Sequence, residues 1–300
     1  MRAAVLHAYG QAPEPGEFDE PVAGDGQVVV DVRAAAIHHL DLLKATGTFY
    51  LSQPLPSVPG TDGVGTTPQG RRVYFDPTIA PHGSFAQRAL AIEDTLIDVP
   101  DEIDDVTAAA LGNTGIGAWL ALTWRAKLQP GETVLVLGAS GALGRVATQA
   151  AKILGAGKVI GAARDTDRII GADETVELND DAEIPGPVDV TIDTLWGKPA
   201  EAALKQASRH ARHVQVGQLA GTEITLSAPA IRSVSLDVSG FSVAHPPHEI
   251  KRDAYRTLAQ HVARGEIKVE HEVVALGDIA AAWERQKTAE RRPKLVVVPG

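Results

Sequence analysis

The run Gly138-Ala139-Ser140-Gly141-Ala142-Leu143-Gly144 has the residue types and spacing to hold a pyrophosphate. Backbone N–H groups at the start of a helix lack partners, and the helix dipole adds positive character there, so an anion suits both. Glycine is wanted because a Cβ would hold the anion off the backbone, and because strand and helix pack closely at such a turn. Ala139 stands where the first glycine of G-x-G-x-x-G belongs, while Gly141 and Gly144 keep the other two places. A tight strand-to-helix turn without a ligand is the competing reading of the same string.

Cofactor choice is read at the end of the next strand, where an acid would bond the ribose 2′-hydroxyl of NAD. The chain has Ala163-Arg164 there, with Arg168 close behind. A small residue leaves room for a 2′-phosphate and a guanidinium supplies donors to it, which favours NADPH. Asp165 and Asp167 keep an alternative open, an ion pair with Arg164 or Arg168 in a solvated loop.

The elements that must position these residues follow from hydrophobic period. Val134 to Leu137 is a run of branched apolar residues suited to a strand covered on both faces. Leu143, Val146, Ala147, Ala150 and Leu154 then fall at helical spacing, and Gly155 follows as a C-cap. Further strands are predicted at Val159-Ile160, Val188 to Asp193 and His213 to Gly217, and this alternation predicts a doubly wound parallel sheet. Between Ala163 and a strand near Thr175 there is room for a single helical turn. Ile231 to Val238 reads as an apolar edge strand of this sheet; such edges are commonly covered by a second copy, so a homodimer is expected.

From Met1 to about Thr66 the pattern is strand and turn, with Gln27 to Ala34 the clearest strand. Shorter strands are predicted at Arg72 to Phe75 and Ser84 to Leu90, which makes this region mostly β. Helices are predicted at Asp104 to Leu111, Gly117 to Leu128, Pro247 to Arg264 and Asp278 to Glu290. A strand near Val269 to Val274 and a last one at Lys294 to Val298 return to the first domain.

Composition narrows the chemistry. The chain has no cysteine, which excludes disulfides, thiolate catalysis and cysteine-ligated zinc. A formal charge of −10 disfavours nucleic acid or an anionic membrane as a partner. No apolar run is long enough to span a bilayer, and Met1 to Leu6 enters a strand directly, so a cytoplasmic protein is expected.

Several blocks together resemble the medium-chain dehydrogenase/reductase superfamily, in its zinc-independent quinone oxidoreductase branch. They are Pro59-Gly60-Thr61-Asp62-Gly63-Val64-Gly65, Gly83-Ser84-Phe85-Ala86, the glycine turn, and Leu276-Gly277-Asp278-Ile279-Ala280-Ala281-Ala282-Trp283. The resemblance implies a GroES-like substrate domain at 1–114 and 246–300, and a Rossmann domain at 115–245 inserted within it. Zinc-dependent relatives hold their metal with a cysteine, a histidine beside an acid, and a second cysteine. The matching places here are His38, Thr61 with Asp62, and about Asn113, so no metal is expected.

Without a metal, oxidation of a simple alcohol lacks something to stabilise the alkoxide. Hydride delivered to a quinone or to the β-carbon of an enone leaves charge on a delocalised oxygen, which a hydrogen-bond donor and water can manage. The resemblance implies this substrate class, with a small conjugated carbonyl or quinone as the partner. Candidate donors are His38, His39, Asp41 and Tyr50; the family's loop tyrosine matches Phe49, with Tyr50 one place later. Leu178 stands near a place where relatives often set a tyrosine against the 2′-phosphate, which leaves more to Arg164 and Arg168. On the nicotinamide side the resemblance points to Thr114, Leu195, Gly217 and Phe241-Ser242-Val243. A zinc-type alcohol dehydrogenase relative and a non-catalytic NADPH-binding sensor or structural protein remain the alternatives.

Overall fold

The computed structural model describes residues 1–49, 52–179, 182–288 and 293–300. It forms two units, 1–113 with 255–263 and 269–300, and 114–254 with 264–268. No helix among the described residues is long and apolar enough to cross a membrane.

The first unit opens with β1 (Arg2–Val5) paired antiparallel with β2 (Glu14–Glu17). In β3 (Gln27–Ala36) alternate residues are buried until Ala34, after which both faces are covered. The short helix α1 (His39–Lys44) follows, then β4 (Gly63–Thr66), β5 (Arg72–Phe75), β6 (Arg88–Ile92) and β7 (Ile97–Asp98). Two expectations are corrected here. The strand expected from Ser84 begins only at Arg88, because Ser84 and Phe85 bond backwards to Gly60 and Pro59 instead of joining β3. The helix α1 stands within a region read as strand and turn only; six residues are too few to show a helical period.

The two helices expected here are present as two pieces of one stretch, α2 (Asp105–Leu120), separated by a kink at the non-helical Gly112 with φ −29° and ψ −115°; the second piece runs on into a π-helical turn at Ala121–Arg125.

The second unit contains β8 (Thr133–Leu137), α3 (Ala142–Ile153), β9 (Lys158–Ala163), β10 (Glu174–Glu177), β11 (Val188–Asp193), α4 (Gly197–Leu204), β12 (Ala207–Gln215), α5 (Ala228–Val234) and β13 (Asp237–Gly240). Its sheet is wholly parallel in the order β10-β9-β8-β11-β12-β13, the doubly wound Rossmann arrangement whose order reverses between β8 and β11. Leu135, Leu137, Ile160 and Val188 form a core on this sheet with Ala200 and Ala203 of α4. After Ala163 the crossover is trimmed, as expected: the chain reaches β10 through a single turn at Asp167-Arg168, with no helix between the strands. The expected edge strand Ile231 to Val238 is corrected. Ile231 to Val234 lie in α5, started by Pro229 in its first turn, and the edge is the four-residue β13.

After α6 (His248–Ala263) come β14 (His271–Ala275), α7 (Ile279–Lys287) and β15 (Lys294–Val298). The helix read as running to Glu290 ends at Lys287, because Thr288 takes an extended conformation; Ala289 to Arg292 lie outside the described residues. β15 pairs antiparallel with β3, which completes the larger sheet of the first unit in the order β14-β15-β3-β4-β5-β7, with β6 also on β3. Trp283 of α7 is buried in this unit's core, edge-on to Phe85 with ring centroids 6.4 Å apart.

Candidate active site

Within the first unit, the cross-strand pairing of β3 and β15 sets Lys294 beside His38, just beyond the end of β3. Lys294 Nζ lies 2.9 Å from His38 Nδ1, and His38 Nε2 lies 2.7 Å from Asp62 Oδ1. An ammonium only donates, so Nδ1 accepts and the ring proton sits on Nε2, directed at the Asp62 carboxylate. The other Asp62 oxygen accepts from the Tyr74 hydroxyl at 2.8 Å and from the Asn113 backbone N–H at 3.1 Å. The break at Gly112 makes the last bond possible: a Cβ there would overlap the Tyr74 ring and stand 2.9 Å from Asp62 Oδ2.

Asp62 is fully buried, which by itself pushes its carboxyl up. The electrostatic attraction and hydrogen bond of the His38 Nε2–H, with the bonds from Tyr74 and Asn113, outweigh that and hold it below the ordinary Asp value. The same burial, with Asp62 adjacent, pushes the Tyr74 phenol well above its usual value, so it stays a donor. Tyr74 stacks on Tyr255 with centroids 4.7 Å apart.

Asp41 is buried as well, and both its oxygens are engaged. Oδ2 accepts from the His38 backbone N–H at 2.7 Å, holding the start of α1, and Oδ1 accepts from Thr61 Oγ1 at 2.6 Å. Lys44 Nζ donates to Thr61 Oγ1 at 3.0 Å. Two buried carboxylates are thus accompanied by two ammonium groups, Lys44 and Lys294. The places matched to zinc ligands, His38, Thr61 with Asp62, and Asn113, do converge, held by hydrogen bonds among themselves. Tyr50 lies outside the described residues; His39 is exposed. The part of Lys294 was not legible in the sequence, because its partner stands 256 residues away.

In the second unit the glycine turn leaves β8 and enters α3. Gly138 has φ +81°, and a Cβ on it would overlap Thr194 Oγ1, so both backbone conformation and space call for glycine. A Cβ on Gly144 would overlap the Gly138 carbonyl oxygen and lie 2.7 Å from Ala139 Cα. Gly141 is the N-cap of α3 and no side chain caps its first turn. The departure at Ala139 is accommodated across the sheet: a Cβ on Gly161 of β9 would stand 3.1 Å from the Ala139 methyl.

The turn is tied to β9 by bonds from the Gly138 and Ala139 N–H groups to Ala162 O, at 2.8 and 3.1 Å. Ala163 closes β9 and accepts from Leu178 N–H at 2.9 Å. Arg164 follows, exposed, and makes no ion pair among the described residues; Asp165 and Arg168 each have a polar or charged interaction within the fold.

At the carboxyl ends of β8, β11 and β12, Thr194 brings other predicted residues together. Its Oγ1 donates to Leu137 O at 2.9 Å. Leu195 lies against Gly138, and a Cβ on Gly217 would stand 2.6 Å from Thr194 O. Leu143 of α3 and Val243 both face Gly117 of α2. Phe241 is buried, its ring 6.1 Å from that of Trp124. Thr114 is buried on α2, and Ser242 is half-buried. Thr194 itself was missed, since its role comes from long-range packing and no motif marks it.

A family model described as zinc-binding dehydrogenase matches residues 154–297. The quinone oxidoreductase of Homo sapiens is 33% identical over 177 residues, 54% of this chain and 53% of its own length. The chain thus spans about half the length of that curated relative. The quinone oxidoreductase of Lama guanicoe is 30% identical over 251 residues, 75% of each chain. Among solved structures, the quinone oxidoreductase from Thermus thermophilus, described with its NADPH complex, has a TM-score of 0.86 at 27% identity, with 100% of both chains covered. Alcohol dehydrogenases also stand among the similar proteins.

Proposed function

This chain belongs to the medium-chain dehydrogenase/reductase superfamily, in its quinone oxidoreductase-like branch, and from that premise we propose that it is an NADPH-dependent reductase of quinones or α,β-unsaturated carbonyls that works without zinc. The observation that carries the reading is the glycine turn at the reversal point of a fully parallel sheet, closed to any Cβ at Gly138 and Gly144, with an exposed guanidinium just past the neighbouring strand.

The second unit fits a dinucleotide. Gly138 to Gly144 and the uncapped first turn of α3 would hold the pyrophosphate. Ala163, Arg164 and Arg168 would take the 2′-phosphate, and Thr114, Leu195, Gly217 and Phe241 to Val243 the nicotinamide end. When bound, the reduced nicotinamide supplies the hydride.

The first unit does not fit zinc. Both ring nitrogens of His38 are engaged, one of them by an ammonium. Among the described residues no group of three His, Cys, Asp or Glu could hold a metal ion. No step of the proposed reaction runs through one. His38 and Asp41 shape this part of the site through the hydrogen bonds described above. The proton for the reduced oxygen comes from Tyr50 or from water. A conjugated acceptor needs no stronger help, since its charge is delocalised.

Purified protein treated with chelator is expected to turn over NADPH with a quinone or an enone at the untreated rate. Activity lost to chelator and restored by zinc would instead mark an alcohol dehydrogenase. Tight NADPH binding without turnover on either class would mark a sensor. Arg164→Ala is expected to weaken NADPH binding by about 1.5–3 kcal/mol, roughly tenfold or more, while leaving NADH nearly unchanged. Calorimetric titration of both cofactors tests this; equal losses for both would place Arg164 outside the 2′ position.

A further inference from the structure

The loop after β11 carries two unfavourable features that the cofactor reading leaves unused. Trp196 has φ 57° and ψ −160°, a region open to glycine and costly for any side chain. Such a conformation persists only where the surroundings hold it. Asp193, buried at the end of β11, accepts at Oδ1 from the backbone N–H groups of Leu195 and Trp196, at 2.8 and 2.9 Å. Its Oδ2 lies 2.8 Å from Nε2 of His213, which is also buried. A carboxylate only accepts, so His213 donates from Nε2. The second unfavourable feature is His213 Nδ1, a buried atom with no hydrogen-bond partner among the described residues. The His213 and Trp196 rings meet edge-on, with centroids 5.9 Å apart. Strain at one end and an unsatisfied nitrogen at the other are thus joined through a single carboxylate.

We propose that Asp193 and His213 are a positioning pair for the nicotinamide half of the cofactor site. His213 fixes the Asp193 carboxylate, and the carboxylate fixes the backbone of Leu195 and Trp196. The consequence reaches the glycine turn, because Thr194, the first residue of this loop, lies over Gly138 and bonds Leu137. A released loop would relax at Trp196 and carry Leu195 away from its place against Gly138. The inference rests on the NADPH reading above, and the adenosine half of that site, at the end of β9, does not depend on it.

The test is calorimetric binding of NADPH and of 2′,5′-ADP, which lacks the nicotinamide, to the unsubstituted protein and to His213→Leu and His213→Gln. His213→Leu is expected to weaken NADPH by about tenfold or more and to leave 2′,5′-ADP within about twofold, while His213→Gln, whose amide can donate to Asp193, recovers most of the loss. If His213→Leu does not fold, Asp193→Ala carries the same comparison. It removes the acceptor of the His213 ring and of the Leu195 and Trp196 N–H groups together. NADPH affinity unchanged in these variants, or an equal loss for both ligands, overturns the proposal. An unsubstituted protein that binds neither ligand overturns the cofactor reading together with it.

Discussion

Replacing Asp62 by Ala is expected to cost about 3–5 kcal/mol of stability in the first unit, the range for breaking a buried, hydrogen-bonded ionic network by removing one member. The loss is large because His38 Nε2, the Tyr74 hydroxyl and the Asn113 N–H all point at this carboxylate from buried or half-buried positions. Each is left without its acceptor at once. Asp62→Asn should also be costly. Its amide nitrogen would face the Nε2 proton of His38 or, turned over, the Asn113 N–H, and moving the ring proton to Nδ1 would set it against the Lys294 ammonium. The acid dependence has a definite sign. The folded-state value of Asp62 lies below its ordinary 3.8, so the stabilisation is complete above that ordinary value and is lost as pH falls through the lower, folded one. Urea unfolding from pH 7 down to pH 3 should therefore show a gentler acid decline in Asp62→Ala than in the unsubstituted protein. A loss below about 1 kcal/mol at neutral pH would show that the network is replaceable by water.

Gly144→Ala should be the most damaging single methyl in the second unit. The added Cβ would overlap the Gly138 carbonyl oxygen and press on Ala139 Cα at 2.7 Å, both backbone atoms with no rotamer to escape into. The start of α3 must then move off the turn, at about 3 kcal/mol, the upper part of the range for overpacking. The same displacement would spoil the anion site. Binding of NADPH and of 2′,5′-ADP should fall together, by at least about tenfold, since both place a phosphate group at the helix start. That joint loss separates Gly144→Ala from Arg164→Ala, where NADH is spared. Thermal unfolding with calorimetric titration reads both quantities, and a variant with unchanged stability and binding would remove the turn from the proposed site.

What the sequence by itself determined lies in elements whose signal is local. β8, α3 and their glycine turn were legible because a branched apolar run, a change to helical period and glycines at fixed spacing all fall within about twenty residues. β11 and β15 were legible at their observed bounds, Val188–Asp193 and Lys294–Val298, because each is a short apolar run with clear breaks. The convergence of His38, Asp62 and Asn113 followed from family resemblance. Tertiary structure decided the rest. Whether His38 has a free nitrogen depends on Lys294, which only sheet pairing brings to it. The helix α1 and the role of Asp41 in it depend on Thr61 and Lys44 packing against six residues with no period of their own. Ile231 to Val234 could be strand or helix by composition, and the turn of chain that seats Pro229 in a first helical turn chose helix. Trp196 is the extreme case. No local preference puts tryptophan at φ 57°; it is held there by the nearby Asp193 carboxylate, which is itself fixed by a histidine on the next strand.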